Sequence, residues 1–205
     1  MKITLENIGK RFNKEWIFRN VSYEFSDSNK YAILGTNGSG KSTLLQIIAG
    51  AVSPSEGSVN YVAPTLTGED AQSPFRDLGL AAPYLELPEE MTWAEAVKFH
   101  GKFKKFSPAL KGEEDVISVS GLANSANKEI RNFSSGMKQR ARLALAILSD
   151  TPLLLLDEPS TNLDANAVKW YQNLISEFAK ERMVIVCSNY NKEEYSFCGK
   201  ELTLK

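Results

Sequence analysis

Hydrophobic and polar positions follow a period of two in the first part of the chain. Lys2–Ile8 alternates, Val21–Phe25 places Val, Tyr and Phe on one face, and Lys30–Leu34 is a short apolar run. These patterns are typical of strands. Gly35–Gly40 then interrupts the pattern, and apolar spacing over Lys41–Ala49 predicts a helix. The chain therefore begins with strands followed by a glycine-rich break and a helix.

The rest of the sequence alternates between strand-like and helix-like spacing of its apolar residues. Further strands are predicted at residues 58–62, 75–81, 153–156, 183–187 and 201–204, the last at a sheet edge. Helices are predicted at residues 92–106, at 113–120, from Ser134 or Ser135 to about 149, and at 165–180. Alternating strands and helices indicate an α/β fold with a largely parallel central sheet. We interpret residues 1–205 as one domain, with a mainly helical insertion at about 87–135.

Composition is that of an ordinary globular protein, with 42% hydrophobic and 24% charged residues. The 24 Lys and Arg residues nearly balance 25 Asp and Glu residues, so no net basic field favours nucleic acid. Cys187 and Cys198 lack the spacing of a zinc site or a disulfide framework. The longest apolar runs are far shorter than the roughly 20 residues of a membrane span. The start of the chain also lacks the apolar core of a signal peptide.

A phosphate-binding loop is predicted between the third strand and the first helix. Its residues match the pattern G-x-x-x-x-G-K-[ST] and are Gly35, Thr36, Asn37, Gly38, Ser39, Gly40, Lys41 and Ser42. Glycines allow backbone amides to turn toward a phosphate, and the helix N-terminus adds a favourable dipole. Lys41 is expected to contact the β- and γ-phosphates of ATP, Ser42 to bind Mg²⁺, and Thr43 to contact the α-phosphate.

A second motif follows the apolar run at residues 153–156. Asp157 ends this strand, so its carboxylate is expected at the carboxyl edge of the sheet, near the phosphate-binding loop. That position suits outer-sphere coordination of Mg²⁺. Glu158 comes next in the chain and is the predicted general base that activates water.

Two further segments carry a family resemblance. Phe133–Met137 reads F-S-S-G-M shortly before L-L-L-L-D-E-P, and Ser160–Asp164 reads S-T-N-L-D. Together with the phosphate loop, these segments resemble the signature motif, Walker B strand and D-loop of the ATP-binding cassette (ABC) family. The resemblance implies a P-loop NTPase fold with a mainly parallel central sheet, an N-terminal antiparallel β subdomain and an inserted helical subdomain.

The same resemblance implies how the protein works. Two cassettes, alike or different, would pack head to tail, so that Ser134 and the amides of Ser135 and Gly136 meet the γ-phosphate bound to the partner. Phe12 is the expected adenine-stacking residue, with Trp16 as the alternative. Residues 84–106 would form a groove for a cytoplasmic helix of a transmembrane permease on a separate chain. The protein would then be cytoplasmic and peripheral, on the inner face of the cell membrane.

The sequence departs from the family pattern at two positions. No glutamine follows the strand at residues 78–81, because Gln72 precedes it, and Asn189 replaces the switch histidine after the strand at 183–187. Glu158 and Asn189 are therefore the predicted catalytic residues, and hydrolysis is expected to be slow. The only histidine, His100, is interpreted as a structural or surface residue.

Several functions remain open from the sequence. The short tail after Asn189 favours an exporter. The alternatives are a cassette that hydrolyses poorly and acts as an ATP-dependent switch, a non-transport ABC ATPase, and a P-loop kinase that acts on a small molecule. Lys98–Phe106 interleaves lysine with phenylalanine, which we interpret as a helix with a solvated basic face. No nucleic-acid partner is expected.

Overall fold

The computed structural model describes residues 1–26, 28–62 and 77–204. They form two compact units, one of residues 1–78, 152–157 and 181–205, the other of residues 79–151 and 158–180. No helix in the described ranges is long and apolar enough to cross a membrane. The interpretation of the whole chain as one domain with a helical insertion stays a prediction.

The first unit contains an antiparallel sheet with the order β2-β1-β4. Its strands are β1 (Lys2–Phe12), β2 (Glu15–Ser26) and β4 (Glu56–Val62). β1 and β2 extend well beyond the predicted segments because a two-residue turn joins them, with Phe12 paired to Glu15 and Asn13 at φ +54°. Positive φ at a hairpin turn is tolerated well by asparagine.

The same unit contains a parallel sheet. Neighbouring strands follow the order β6 (Leu153–Asp157), β7 (Met183–Ser188), β3 (Lys30–Leu34) and β8 (Lys200–Thr203), and every pair is parallel. β5 (Leu78–Ala81) begins beside β6, where the Leu153 amide donates to the Asp77 carbonyl over 3.1 Å. β6 and β7 are fully buried. The predicted α/β fold with a parallel sheet, a separate antiparallel sheet and helices is confirmed.

Helix α1 (Lys41–Ile48) covers the parallel sheet. It packs against β6 and β7 through apolar side chains that are completely buried, namely Leu44, Leu45, Ile47 and Ile48. The Tyr61 hydroxyl donates to the last carbonyls of the helix, those of Ile47 and Ile48, over 3.2 and 2.9 Å. The antiparallel sheet therefore stabilises the end of α1. Short helix α6 (Lys192–Tyr195) precedes β8.

The second unit is mainly helical. Its helices are α2 (Trp93–Gly101), α3 (Glu113–Val119), α4 (Ser135–Ile147) and α5 (Ala165–Phe178). Thr92 and Glu95 form a capping box at the start of α2, and buried Trp93 donates to the Ser120 hydroxyl over 3.2 Å. The prediction that this helix extends to residue 106 is wrong. It ends at Gly101, and the chain then turns so that Phe106 pairs with Ser149.

Candidate functional site

The predicted phosphate loop lies between β3 and α1, as the sequence indicates. Gly35 and Lys41 are buried, Thr36 to Gly38 are exposed, and the remaining residues to Thr43 are half-buried. The Lys41 ammonium donates to the carbonyl oxygens of Gly35 and Thr36 over 2.9 and 3.0 Å. The Lys41 side chain therefore folds back onto the backbone of the loop to which it belongs.

Gly40 precedes the helix in a conformation that other residues rarely adopt, with φ at +91°. A β-carbon there would lie 2.5 Å from Ile17 Cγ2 and 2.7 Å from Phe18 Cδ1. Both the backbone conformation and the close approach of β2 therefore require glycine. Nearby, the buried Ser39 hydroxyl has no hydrogen-bond partner among the described residues.

Asp157 lies at the carboxyl end of β6 and is buried. It pairs with Cys187 of β7, and the Cys187 thiol donates to the Lys41 carbonyl over 3.5 Å. Within the first unit, the predicted metal-binding carboxylate is thus one strand away from the first turn of α1.

Glu158 belongs to the second unit and has a strained backbone. Its φ is +44°, in the left-handed region that glutamate rarely adopts, and its side chain is half-buried. Its carbonyl accepts the Thr161 amide over 3.1 Å, which closes a turn into the D-loop-like segment. The candidate general base therefore sits on a tight turn rather than in a relaxed loop.

The signature-like segment forms the start of α4. Ser134 is the N-cap, and its hydroxyl accepts the Met137 amide over 3.2 Å. Ser134 and Ser135 are exposed, and Gly136 is half-exposed. The predicted cap at Ser134 or Ser135 is thus resolved in favour of Ser134, and the 13-residue helix presents its N-terminus to solvent.

Contacts that the sequence did not reveal connect α4 to the D-loop-like segment. The buried side chain of Gln139 donates to the Pro159 carbonyl over 3.0 Å. A β-carbon at Gly136 would lie 2.9 Å from the Asn162 carbonyl oxygen, and Asn162 has φ +63°. Asp164 then caps α5 by accepting the Ala167 amide over 2.7 Å. Only the glutamine two residues after the signature could have signalled this linkage.

Phe12 ends β1 and is 51% exposed, with the Lys10 ammonium 5.0 Å from its ring centroid. Trp16 differs, because its ring lies under two guanidinium groups, those of Arg19 at 4.3 Å and Arg11 at 5.5 Å. Arg19 is also paired with Glu56. Phe12 is therefore the more exposed of the two rings and has one cation beside it, whereas the Trp16 ring is contacted by two.

A groove of about 760 Å³ lies in the second unit. Carboxylates of Glu86, Glu89 and Glu90 line it together with Phe99 and the basic side chains of Lys138 and Arg142, and Lys138 forms an ion pair with Glu89. The Arg142 guanidinium donates to the Leu85 carbonyl over 2.7 Å, and burial lowers its pKa while the charge of Glu86 opposes that shift. The groove is therefore partly apolar, and its rim carries three carboxylates against two basic groups, which leaves it acidic on balance.

The family profile that matches the chain is that of the ABC transporter, over residues 18–161. The chain belongs to the ABC transporter family. The resemblance inferred from the motifs is thus confirmed, and with it the functional class of an ATP-binding subunit of an ABC transporter at the level of the family.

Two relatives and one solved cassette illustrate this membership. The uncharacterized ABC transporter ATP-binding protein YybJ of Bacillus subtilis is 31% identical, over 94% of this chain and 87% of its own length. The cytochrome c biogenesis ATP-binding export protein CcmA of Agrobacterium fabrum is 29% identical, over 93% of this chain and 89% of its own. The bacterial ABC transporter cassette MJ0796, solved as a dimer, is 26% identical with a TM-score of 0.80, over 99% and 94% of the two chains. A second dimeric MJ0796 structure, in a post-hydrolysis state, is bound to ADP and Pi.

The two positions at which the sequence is expected to depart from the ABC pattern lie in described segments. Asn189 directly follows β7 and is exposed, and Tyr190 after it has φ +59°. Helix α6 is capped by Asn191, which accepts the Glu193 amide over 3.2 Å, so Asn189 lies outside this cap. In the segment after β5, where the family resemblance predicts a glutamine, Tyr84 and Glu86 are both exposed.

Proposed function

We propose that this protein is the ATP-binding and hydrolysing subunit of an ABC transporter and energises a separate transmembrane subunit. The observation that carries the proposal is the phosphate loop, with a buried lysine held at its centre and a left-handed glycine at the helix start. Membership of the ABC family supports it.

Lys41 is the proposed cation for the β- and γ-phosphates. A phosphate oxygen would replace the two carbonyl oxygens that accept from its ammonium, and a charge-assisted hydrogen bond is stronger than a neutral one. Backbone amides from Gly35 to Lys41 and the unpartnered Ser39 hydroxyl would supply further donors, while Thr43 would contact the α-phosphate. Phe12 would stack on adenine.

Ser42 and Asp157 are the proposed residues for Mg²⁺. A hydroxyl and a carboxylate are the oxygen donors that Mg²⁺ prefers, and Mg²⁺ in such sites keeps waters and substrate phosphates as its other ligands. When bound, Mg²⁺ would neutralise charge that develops on the phosphates. The described residues hold no group of three or more His, Cys, Asp or Glu that could bind a metal without the nucleotide.

Glu158 is the proposed general base for the attacking water. Its half-buried side chain follows Asp157 directly in the chain, and its backbone adopts a strained conformation of the kind that is found at functional sites. In a cassette dimer, Ser134, Ser135 and Gly136 of one subunit would contact the γ-phosphate held by the other. The exposed N-terminus of α4 suits an anion there.

The permease would bind in the groove lined by Glu86, Glu89 and Phe99. Its acidic rim and apolar wall fit an amphipathic helix that carries basic residues. Such a partner would hold the protein on the inner face of the cell membrane. The name of CcmA includes export, and we propose the same direction for this chain.

A second candidate is a cassette that binds ATP as a switch and hydrolyses it slowly. The observation that favours it is the exposed Asn189 at the end of β7, where the family resemblance implies a histidine. Asparagine donates a hydrogen bond but carries no charge. In this case, ATP would still assemble two cassettes.

The nucleotide site is tested by equilibrium binding of a fluorescent ATP analogue to Lys41→Ala. We expect loss of binding, with Lys2→Ala, an exposed lysine at the start of β1, as a matched control. Circular dichroism establishes that both variants are folded. Unchanged binding by folded Lys41→Ala would overturn the site.

Assembly is tested with Glu158→Gln, which keeps the shape of the side chain but removes the base. ATP should then accumulate and hold two cassettes together, which light scattering after size-exclusion chromatography detects. A variant that remains monomeric at saturating Mg-ATP, alone and with membranes from its source, would contradict the dimer. Copurification of one multispanning polypeptide from those membranes, lost in Glu86→Lys/Glu89→Lys, would identify the permease.

A further inference from the structure

The segment Lys98–Phe106, here called the basic aromatic segment, covers the end of α2 and the turn after it. It contains four lysines and no acidic residue. Phe103 is 73% exposed and Phe99 is 43% exposed, and their ring centroids lie 5.1 Å apart. Two adjacent exposed aromatic rings within a basic segment form an apolar surface that folding has left in water.

The backbone of this segment is held firmly in the second unit. The Asp150 amide donates to the Lys105 carbonyl over 2.8 Å, and the Ser107 amide donates to the Leu148 carbonyl over 2.8 Å. Phe106 turns inward and stacks on His100. Because these contacts fix the turn, Phe103 is presented outward by a stable structure and not by a frayed helix end.

Phe99 belongs both to the basic aromatic segment and to the groove, because it lines the groove together with Glu86, Glu89 and Glu90. Lys98, Lys102 and Lys105 of the segment are exposed. The segment thus adjoins the groove through Phe99 and differs from it in charge, since the groove contains three carboxylates beside Lys138 and Arg142.

We propose that the basic aromatic segment contacts the anionic headgroups of the bilayer next to the permease. This inference rests on the proposed function, because a permease helix bound in the groove would bring the adjoining basic aromatic segment toward the bilayer. Lysines near an anionic leaflet are attracted to it, and the exposed Phe103 ring can insert between headgroups while Phe99 lines the groove. The groove carboxylates meet the permease instead of the lipid.

The test uses the isolated full chain and protein-free vesicles, sedimented together. Vesicles containing about one third phosphatidylglycerol should retain several-fold more protein than phosphatidylcholine vesicles, and added salt should weaken retention. Lys102→Glu/Lys105→Glu should abolish the difference between the two lipids. Phe103→Ser should reduce retention at every salt concentration, since it removes apolar contact.

Lys169→Glu/Lys180→Glu is the matched control, with the same change of charge at exposed positions on and just after α5. It should retain wild-type binding, and all variants should bind the ATP analogue normally. Normal ATP binding without retention on anionic vesicles would overturn this inference and leave the proposed function intact. Failure of ATP binding or of permease copurification, with vesicle retention preserved, would instead overturn the proposed function.

Binding of a single-stranded oligonucleotide tests the alternative partner, because lysines and exposed aromatic rings also bind such strands. One outcome is that the oligonucleotide binds the wild type, fails to bind Lys102→Glu/Lys105→Glu, and displaces the protein from vesicles at a concentration below that of the competing lipid. In that case the segment is a nucleic-acid surface and the lipid assignment is wrong. Equal loss of retention in the Lys169→Glu/Lys180→Glu control would also overturn it, since net charge alone would then explain binding.

Discussion

Gly136 approaches Asn162 so closely that a β-carbon at Gly136 would lie 2.9 Å from the Asn162 carbonyl oxygen. This contact joins the start of α4 to the D-loop-like segment through backbone atoms on both sides. Neither partner is the far end of a flexible side chain, so neither can move aside cheaply. The glycine of the signature is thus required by packing within this chain, in addition to any contact with nucleotide.

Gly136→Ala should therefore destabilise the protein and disturb the D-loop-like segment. The close approach should outweigh the gain in helix propensity, with a net loss of about 1 kcal/mol in the free energy of unfolding. Thermal unfolding should show a midpoint lower by about 2–4 °C for a chain of this size. Gly112→Ala is the control, since its β-carbon would meet nothing within 4 Å. Equal effects of the two substitutions would contradict this account.

Glu158→Gly should make the protein more stable and catalytically inert. Glycine adopts the φ of +44° without strain, so the free energy of unfolding should rise by about 1 kcal/mol. Glu158→Gln is the comparison, because it keeps the strain and removes the base. Chemical denaturation should rank the glycine variant above both the wild type and the glutamine variant. Equal stability of all three would show that the backbone at this position is relaxed.

Asn189 should limit the rate of hydrolysis and leave nucleotide affinity unchanged. The wild type should bind Mg-ATP normally and turn it over slowly. Asn189→His should raise kcat by up to about a hundredfold, since a histidine can carry positive charge as negative charge develops on the phosphate. Asn189→Ala should be slower than the wild type in steady-state assays, with Tyr190→Phe as the control. Full activity in the alanine variant and no gain in the histidine variant would remove Asn189 from the catalytic site.

His100 should make stability depend on pH. The Ser149 hydroxyl donates to the Leu145 carbonyl over 2.6 Å, so it accepts from His100 Nε2 over 2.8 Å, which requires a proton on Nε2. Burial, helped by the charge of Lys104, lowers the pKa of His100 from 6.5 to about 4. The unfolded chain therefore binds the proton more readily, and the stabilisation present above about pH 6.5 is lost as pH falls toward 4.

After discounting for partial exposure, the free energy of unfolding should fall by about 1–2 kcal/mol across this range. Urea denaturation at several pH values measures it. His100→Gln can still donate to Ser149 but does not titrate, so the difference between wild type and variant should shrink as the pH is lowered. A constant difference would mean that the histidine does not titrate within this range.

Local patterns predicted much of the fold because they depend on neighbouring residues. Lys30–Leu34 is a strand at its predicted bounds, and the helix after the phosphate loop ends one residue before its predicted end. The strand at residues 153–156 extends by one residue to Asp157, whose role was inferred from the same motif. The strand predicted from residue 75 falls partly outside the described residues, and its described part begins at Leu78.

The predictions were wrong or incomplete where contacts between residues far apart in the sequence determine the local structure. The helix after Thr92 stops at Gly101 because Phe106 pairs with Ser149, which lies far along the chain. Contacts of Gln139 with Pro159 and of Gly136 with Asn162 join segments whose separation in sequence carries no periodic signal. The positive φ of Glu158 was also invisible, because glutamate gives no indication of a left-handed turn.

In the proposed nucleotide site, the hydrogen bonds from Lys41 to the carbonyls of Gly35 and Thr36 would affect product release. A buried ammonium that loses its anion without replacement is costly, and that cost would otherwise slow the departure of a phosphate. Here the loop itself contains acceptors at hydrogen-bond distance, so the lysine regains partners as soon as the anion leaves. The carbonyl oxygens of the loop would therefore compete with the product phosphate for the Lys41 ammonium. This competition favours rapid release of the product over prolonged retention of nucleotide.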